Sequence, residues 1–377
     1  MRIALASHVI GTGDGQGRVN YELARFLCEQ EHDVHLLADR IDADLEAMGC
    51  TWHPIHPEVD TIDLIKYARF ARLVDKRLDE IGDTFDVILG CGAAISRPHT
   101  VNAVHFVHGP WMDSPYHNAR QQSGLDSLYQ YAFSALNARW EKQSLSQARQ
   151  VVAVSEMVRR ELLEIGVPDE KIEVIVNGVD CHEFAPGAAD RSALGLPAEP
   201  VLGLFAGDIK SPIKNLDTAL RALVDVPAVH LAVAGRMDGS PYPSLADRLG
   251  IGHRVHFLGF RPDVADLMRA ADLFLIPSRR DSCPLVLLEA IASGLPVIAS
   301  RNVGNANLLS DAAGFVLDDP ENAEALTGHL TALATDPSLR RSMSAAARSV
   351  AEQHSWDRMA ERYLALFRRL VSSPVSA

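Results

Sequence analysis

Positive charge, cysteine and long apolar runs are all scarce in this 377-residue sequence. Against 49 Asp and Glu there are only 36 Lys and Arg, a net charge of −13. That balance argues against nucleic acid as a partner and weakens attraction to anionic lipid, although a local patch escapes the sum. The deficit is uneven: residues 1–185 hold 17 basic and 28 acidic side chains, a balance of −11, while residues 186–377 hold 19 and 21, a balance of −2. Five cysteines, Cys28, Cys50, Cys91, Cys181 and Cys283, make an odd number with no close pairing. They argue against a disulfide framework and a zinc site and are expected as reduced thiols. No apolar run reaches the roughly 18 residues of a membrane span. Residues 1–5 lead straight into a strand rather than a signal peptide, so the expected location is the cytoplasm, with peripheral contact at the inner face of a membrane left open.

The length exceeds what one core usually serves, so two domains are expected. A composition that is 47% apolar fits an ordinary globular protein. Strand-like runs at 2–7, 34–38, 85–89 and 100–106 alternate with helical runs at 19–29, 64–78 and 123–147, the pattern of a parallel sheet covered on both faces. A further strand at 171–176 meets Asn177-Gly178, a tight-turn pair, and residues 181–200 turn to Ala, Gly and Pro as a linker would. Alternation then resumes with strands at 201–205, 229–234, 255–260 and 273–276.

The stretch 277–300, PSRRDSCPLVLLEAIASGLPVIAS, organises the second half. It reads as a polar loop after a buried strand, a helix opening near Pro284, a break at Gly294 and Pro296, and another strand. Such a loop lies where ligands sit in open parallel sheets, with unpaired helix N–H groups behind it. Asp281 and Glu289 are eight positions apart, about two helical turns, and Glu289 stands among Leu285, Leu288, Ala290 and Ile291, where a carboxylate needs a partner. Three other loops are candidates. Gly11, Gly13, Gly15 and Gly17 form a glycine-rich loop before a helix, but Gln16 breaks the dinucleotide spacing. His105 and His108 lie at the carboxyl end of the strand at 100–106, beside Trp111; in an extended segment they point to opposite faces, so a metal is not expected. Lys210 and Lys214 precede a helix and concentrate charge that could stabilise a diphosphate leaving group.

Taken in order, these motifs resemble the retaining glycosyltransferases of family 4, the glycosyl transferases group 1. The carriers are the glycine loop, His108, the turn Asn177-Gly178-Val179-Asp180, the lysine loop, and the carboxylate, seven residues, Glu pattern of Asp281 and Glu289. Asp281 stands where Glu is usual, Cys283-Pro284 replaces Phe-Gly, and Asp208 occupies the usual arginine position. The resemblance implies an α/β fold of two Rossmann-like domains (GT-B) facing a central cleft: residues 1–185 on the acceptor side and 186–355 binding the nucleotide sugar, with a last helix in 356–377 returning to the first domain. It implies that Gly15 and Gly17 approach donor phosphates, that Asp281 and the chain after it at Ser282, Cys283, Leu285 and Val286 contact the donor, and that Glu289 holds the ribose. It further implies that Arg261 lies near the base, that His108, His105 and Trp111 lie on the sugar or acceptor side, and that Lys210 and Lys214 take charge from the diphosphate.

The expected activity is retaining transfer of a sugar from a nucleotide-diphosphate sugar to a glycan, lipid-linked or small-molecule acceptor, with no cofactor and no metal. A sugar-nucleotide epimerase and a non-catalytic nucleotide or carbohydrate binding protein are the alternatives; a dehydrogenase is disfavoured by the broken glycine spacing.

Overall fold

A computed structural model describes residues 1–58, 63–82, 84–121, 123–310 and 312–372. The chain forms two compact units: Met1–Gly178 with the helix Trp356–Ser372, and Val179–Ser355.

The first unit contains strands β1 (Arg2–Ala6), β2 (Val9–Ile10), β3 (Asp33–Ala38), β4 (Arg40–Ile41), β5 (Thr51–Pro54), β6 (Val87–Cys91), β7 (His99–Val104), β8 (Ala148–Ala153) and β9 (Ile172–Val174). Seven of them make a parallel sheet of order β5-β3-β1-β6-β7-β8-β9, while β2 and β4 pair separately. The chain works outward from β1 on one side and then restarts at β6 on the other. The loops after β1 and β6 therefore part company, and the crevice at their carboxyl ends is a ligand position in such sheets. A core of Ala4, Ala6, Leu37, Phe70, Val74 and Ile95 packs one sheet face against the helix Asp63–Ile81.

The second unit repeats the plan with β10 (Val201–Ala206), β11 (Val229–Ala234), β12 (Val255–Gly259), β13 (Leu273–Ile276), β14 (Val297–Ser300) and β15 (Gly314–Leu317), in the order β12-β11-β10-β13-β14-β15. Successive side chains point to opposite faces, and both faces are buried. Leu204, Ala232, Phe274 and Ile276 join one core, and Phe205, Val233, Leu273 and Leu275 the other. The break in strand order lies between β10 and β13, which pair through Gly203–Leu273 and Leu204–Phe274.

Three local readings change. The run 181–200 is no free linker, because Phe184 and Leu196 are buried in the second unit's core. The glycine loop is shorter than the sequence suggests: β2 ends just before Gly11 and the helix Gly15–Glu29 begins inside it. Cysteine spacing also hid a neighbour pair. All five thiols are free, yet the Sγ atoms of Cys28 and Cys50 lie 2.6 Å apart.

The helix Trp356–Ser372 packs in the first unit, burying Trp356, Met359, Tyr363, Leu366, Phe367 and Leu370 at helical spacing. Its ends are fixed by Arg25 donating to Asp357 at 2.9 Å and Arg149 donating to the Leu370 carbonyl at 2.7 Å. Gly178 passes so close that a Cβ there would sit 2.6 Å from the Trp356 Cα. Phe367→Ala, which empties a fully buried position, is expected to cost about 3–5 kcal/mol; urea unfolding measures it, and a loss below about 1 kcal/mol would mean that the helix packs loosely.

Candidate functional site

The loops after β10 and β13 meet at the second unit's switch point. Ile209 is fully buried and anchors the first loop, and Ser211 accepts from the Ile213 N–H to open the turn Pro212–Lys214. Asn215 follows in the left-handed region, φ 59°, which Asn tolerates better than most residues. It is fully buried, and its side-chain amide donates to the carbonyls of Pro277 at 2.9 Å and Pro320 at 2.7 Å. The loops after β10, β13 and β15 are thereby tied together by one amide. Lys214, one residue earlier, pairs with Asp281 from the loop after β13. The Asp281 backbone is fixed in turn: its N–H donates to Asn302 at 3.0 Å and its carbonyl accepts from Gly304 at 2.7 Å. The helix Leu285–Ala292 begins four residues later, with Glu289 half-buried within it.

Arg279 supplies the second tie. Its N–H donates to Ile213 at 2.8 Å, and its nearly buried guanidinium reaches Asp217, Glu321 and the Pro212 carbonyl. Burial works against the charge on Asp217, but the Arg279 hydrogen bonds and charge outweigh it and hold that carboxyl below its ordinary range. Neither Asn215 nor Arg279 was among the residues expected to matter. The Arg-Arg pair before Asp281 and an Asn directly after the lysine were the available signals.

The remaining candidates are distributed more widely. Ser282, Cys283, Leu285 and Val286 are half-buried along the path from Asp281 into its helix. Lys210 is exposed and outside the Lys214–Asp281 pair. Arg261 is held by both oxygens of Asp263 and donates to the Leu194 carbonyl.

In the first unit a cavity of about 650 Å³ opens at the switch point, where Ser7 and His8 follow β1 and Gly92 and Ser96 follow β6. His105 and His108 both line it. The expected extended segment is corrected here: β7 ends at Val104 and His108 opens the helix His108–Asp113, so the two histidines do not alternate across a strand. Glu141, 2% exposed on the helix Gly124–Gln147, explains the position of His108. Its Oε2 accepts from the His108 backbone N–H at 3.0 Å and lies 3.1 Å from Nδ1. With Glu141 as the acceptor, Nδ1 is the ring nitrogen that donates and Nε2 is the other polar atom of the ring. The other Glu141 oxygen, His105 Nε2 and His8 Nδ1 are buried without a hydrogen-bond partner. Tyr67, Phe133 and Trp140 add aromatic surface to the lining. Trp111 is 6% exposed, packs edge-on to Phe106 and does not line the cavity. Gly17 lines it, but its N–H is taken by the Asp14 carboxylate at 2.7 Å, and a Cβ would meet the Gly11 carbonyl at 2.8 Å; Gly15 is exposed in the same helical turn. Among the described residues no three His, Cys, Asp or Glu converge as a metal site, and no helix is long and apolar enough to cross a membrane.

Comparison with known proteins supplies the context. Residues 13–183 match the family described as Glycosyltransferase Family 4, and residues 188–350 match Glycosyl transferases group 1. A D-inositol 3-phosphate glycosyltransferase of Mycobacterium avium is 37% identical over 246 residues. That match takes in 61% of this chain and 57% of the relative, so the chain spans little more than half the length of the curated protein it matches. The fold is that of WaaG, a glycosyltransferase of lipopolysaccharide biosynthesis, with a TM-score of 0.75 and 22% identity over 97% of this chain and 99% of that one. It is also that of Thermosynechococcus elongatus sucrose-phosphate synthase (0.77, 20%, 99% and 100%) and of Anabaena HepE solved with UDP and glucose (0.72, 22%, 98% and 100%).

Burial pushes His8 and His105 down to about 4, with Lys66 adding to the effect at His8 and Asp39 opposing it. Free histidine titrates near 6.5, so between these values the unfolded chain binds more protons and stability rises with pH. The urea midpoint is therefore expected to fall as pH drops from about 6.5 towards about 4, with His53, also lowered to about 4, contributing. His105→Gln should flatten that slope; an identical slope would mean that His105 stays solvated.

Proposed function

The chain belongs to glycosyltransferase family 4, the glycosyl transferases group 1, and from that premise we propose that it moves a sugar, with retention, from a nucleotide-diphosphate sugar to an acceptor hydroxyl. The observation that carries this reading is the Lys214–Asp281 pair at the switch point of the second unit, beside a helix amino terminus. Breaking the anomeric C–O bond leaves negative charge on the diphosphate. A Lys214 ammonium turning from Asp281 to a phosphate oxygen stabilises that charge where it develops. Asp281, released from the lysine, accepts from sugar hydroxyls, and Glu289 holds the ribose. Lys210 adds a second, exposed cation. Pro284 offers no N–H, so contact from this helix start falls to the N–H groups that follow it. In this proposal the acceptor hydroxyl attacks from the face the diphosphate leaves, its oxygen bonding to the anomeric carbon as its proton passes to the departing phosphate oxygen, with no carboxylate as nucleophile and no metal in the step.

We assign the acceptor to the cavity of the first unit. The Tyr67, Phe133 and Trp140 faces suit the C–H surface of a sugar ring, and the unpaired Glu141 oxygen calls for a hydroxyl donor. The charged lining is Asp14 and Glu141 against Arg72, which disfavours a phosphorylated ring. On this reading the acceptor is an uncharged hydroxylated one, unlike the phosphate in the name of the mycobacterial relative. His108, with Glu141 behind it, lies on the acceptor side. The cytoplasm, as source of nucleotide sugars, is the proposed location.

Incubation with a panel of nucleotide sugars and neutral or phosphorylated sugar acceptors, following nucleotide diphosphate release, tests the whole reading. Lys214→Ala is expected to lower turnover about 10²–10³-fold without shifting the unfolding midpoint; unchanged turnover removes the lysine from the chemistry. Glu141→Gln is expected to reduce turnover and alter its pH profile through His108, and equal loss at every pH would make Glu141 merely structural. If only phosphorylated acceptors are used, the acceptor assignment fails while the donor assignment stands.

A further inference from the structure

The two thiols at the far end of the helix Gly15–Glu29 carry an inference independent of the transferase reading. Cys28 lies in the last turn of that helix and is half-buried; Cys50 directly precedes β5 and is 5% exposed. Their sulfurs are 2.6 Å apart, closer than unbonded sulfur atoms ordinarily rest. The approach is imposed from both sides. The helix ends where Gln30 donates to Phe26 and His32 donates to Leu27, while the Cys50 N–H is held by the Leu45 carbonyl at 3.0 Å.

We propose that Cys28 and Cys50 are a reversible dithiol–disulfide site, oxidised by a low-molecular-weight disulfide of the glutathione class. The two thiols are not equivalent. Cys28 is the more accessible, and the hydrogen bond from Cys50 favours its thiolate, against burial and the charges of Glu29 and Asp33. The remaining proton stays on Cys50, held by the same hydrogen bond and by burial, with Asp44 adding to the effect. Cys28 is accordingly the attacking sulfur and Cys50 the resolving one. The Cys28 thiolate attacks one sulfur of the small disulfide, forming a mixed disulfide and expelling one thiolate, which takes up a proton. The Cys50 thiol then loses its proton and attacks the Cys28 sulfur, and the second small thiol leaves. Two protein thiols are oxidised by two electrons, and one small disulfide is reduced to two thiols.

The consequence for the fold is specific. The crosslink ties the end of the helix Gly15–Glu29 to the start of β5, which pairs with β3. The first turn of the same helix contributes Gly17 to the cavity of this unit. Oxidation therefore fixes the distal end of an element whose other end faces the candidate acceptor site.

The experiment treats the full chain with oxidised glutathione without denaturant, alkylates it, and maps the peptides by mass spectrometry beside a thiol count in denaturant. The expected result is a fall from five free thiols to three, a single crosslinked peptide joining Cys28 to Cys50, full reversal by dithiothreitol, and a thermal midpoint several degrees higher in the oxidised form. Cys50→Ser should accumulate a mixed glutathione disulfide at Cys28, whereas Cys28→Ser should resist modification at Cys50. Five thiols persisting after treatment, a crosslink through Cys91, Cys181 or Cys283, or a stable glutathione adduct on the unsubstituted chain would each overturn the proposal. The unsubstituted chain decides the matter even if neither variant folds.

Discussion

One amide holds the second unit's site together. The Asn215 side chain donates to carbonyls in the loops after β13 and β15, from a backbone position that itself belongs to the loop after β10. Each bond contributes only about 1 kcal/mol net, but leaving either carbonyl unpaired in the interior would cost about 1–3 kcal/mol. Geometry matters more than these energies. In an open parallel sheet the loops at the switch point diverge, and nothing in the strand pairing between β10 and β13 brings their tips together. Asn215 does so, and its left-handed φ turns the chain sharply enough for Lys214 to reach Asp281 before the next helix begins.

The two ion pairs built on this frame differ in kind, one locked and the other exchangeable. Arg279 meets Asp217 through two nitrogens, adds Glu321 and a backbone carbonyl, and is nearly buried. Breaking such a network strands charge in a dry place, so it stays closed. Lys214 meets one carboxylate oxygen and keeps 28% of its side chain exposed. A flexible ammonium with a single partner can be recruited by a more highly charged anion at little cost, because at a given distance the attraction scales with charge. The pair is thus closed in the unliganded protein and open to exchange with a stronger anion.

The sequence exposed the periodic features and hid the singular ones. Alternating apolar runs marked most strands of both sheets, because a doubly covered strand is a continuous hydrophobic segment. β5 and β15 escaped: Trp52, His53 and Pro54 look like a loop, and Gly314–Leu317 is partly exposed at a sheet edge. The helix start at Gly15 was obscured by glycines that look like a loop, although Asp14 was a legible N-cap. His108 looks extended in the sequence because its helix opens without a side-chain cap of its own; the cap comes from Glu141, 33 residues later. Lys214 and Asp281 could be paired through the motif they form, but 67 residues separate them and only the fold supplies the distance. The Cys28–Cys50 approach was invisible for the same reason: no spacing rule covers a helix end meeting a strand start.

The two units share one strand plan and differ in what they place at its switch point. In the second, lysines and a helix start accompany carboxylates, a mixture that accommodates a strong anion. In the first, two histidines are kept neutral by burial and two carboxylates face a single arginine, so field and solvation both disfavour an anion. The bulk charge follows the same division, −11 over residues 1–185 and −2 over the rest. On the proposed reading, this asymmetry favours a nucleotide-diphosphate donor at the second crevice over the first. On that reading the same acidity suits the first crevice to hydroxyl-rich, uncharged matter, which needs hydrogen-bond acceptors and aromatic faces rather than cations. Topology explains why each unit has a crevice; the few charges lining it decide which kind of ligand each one suits.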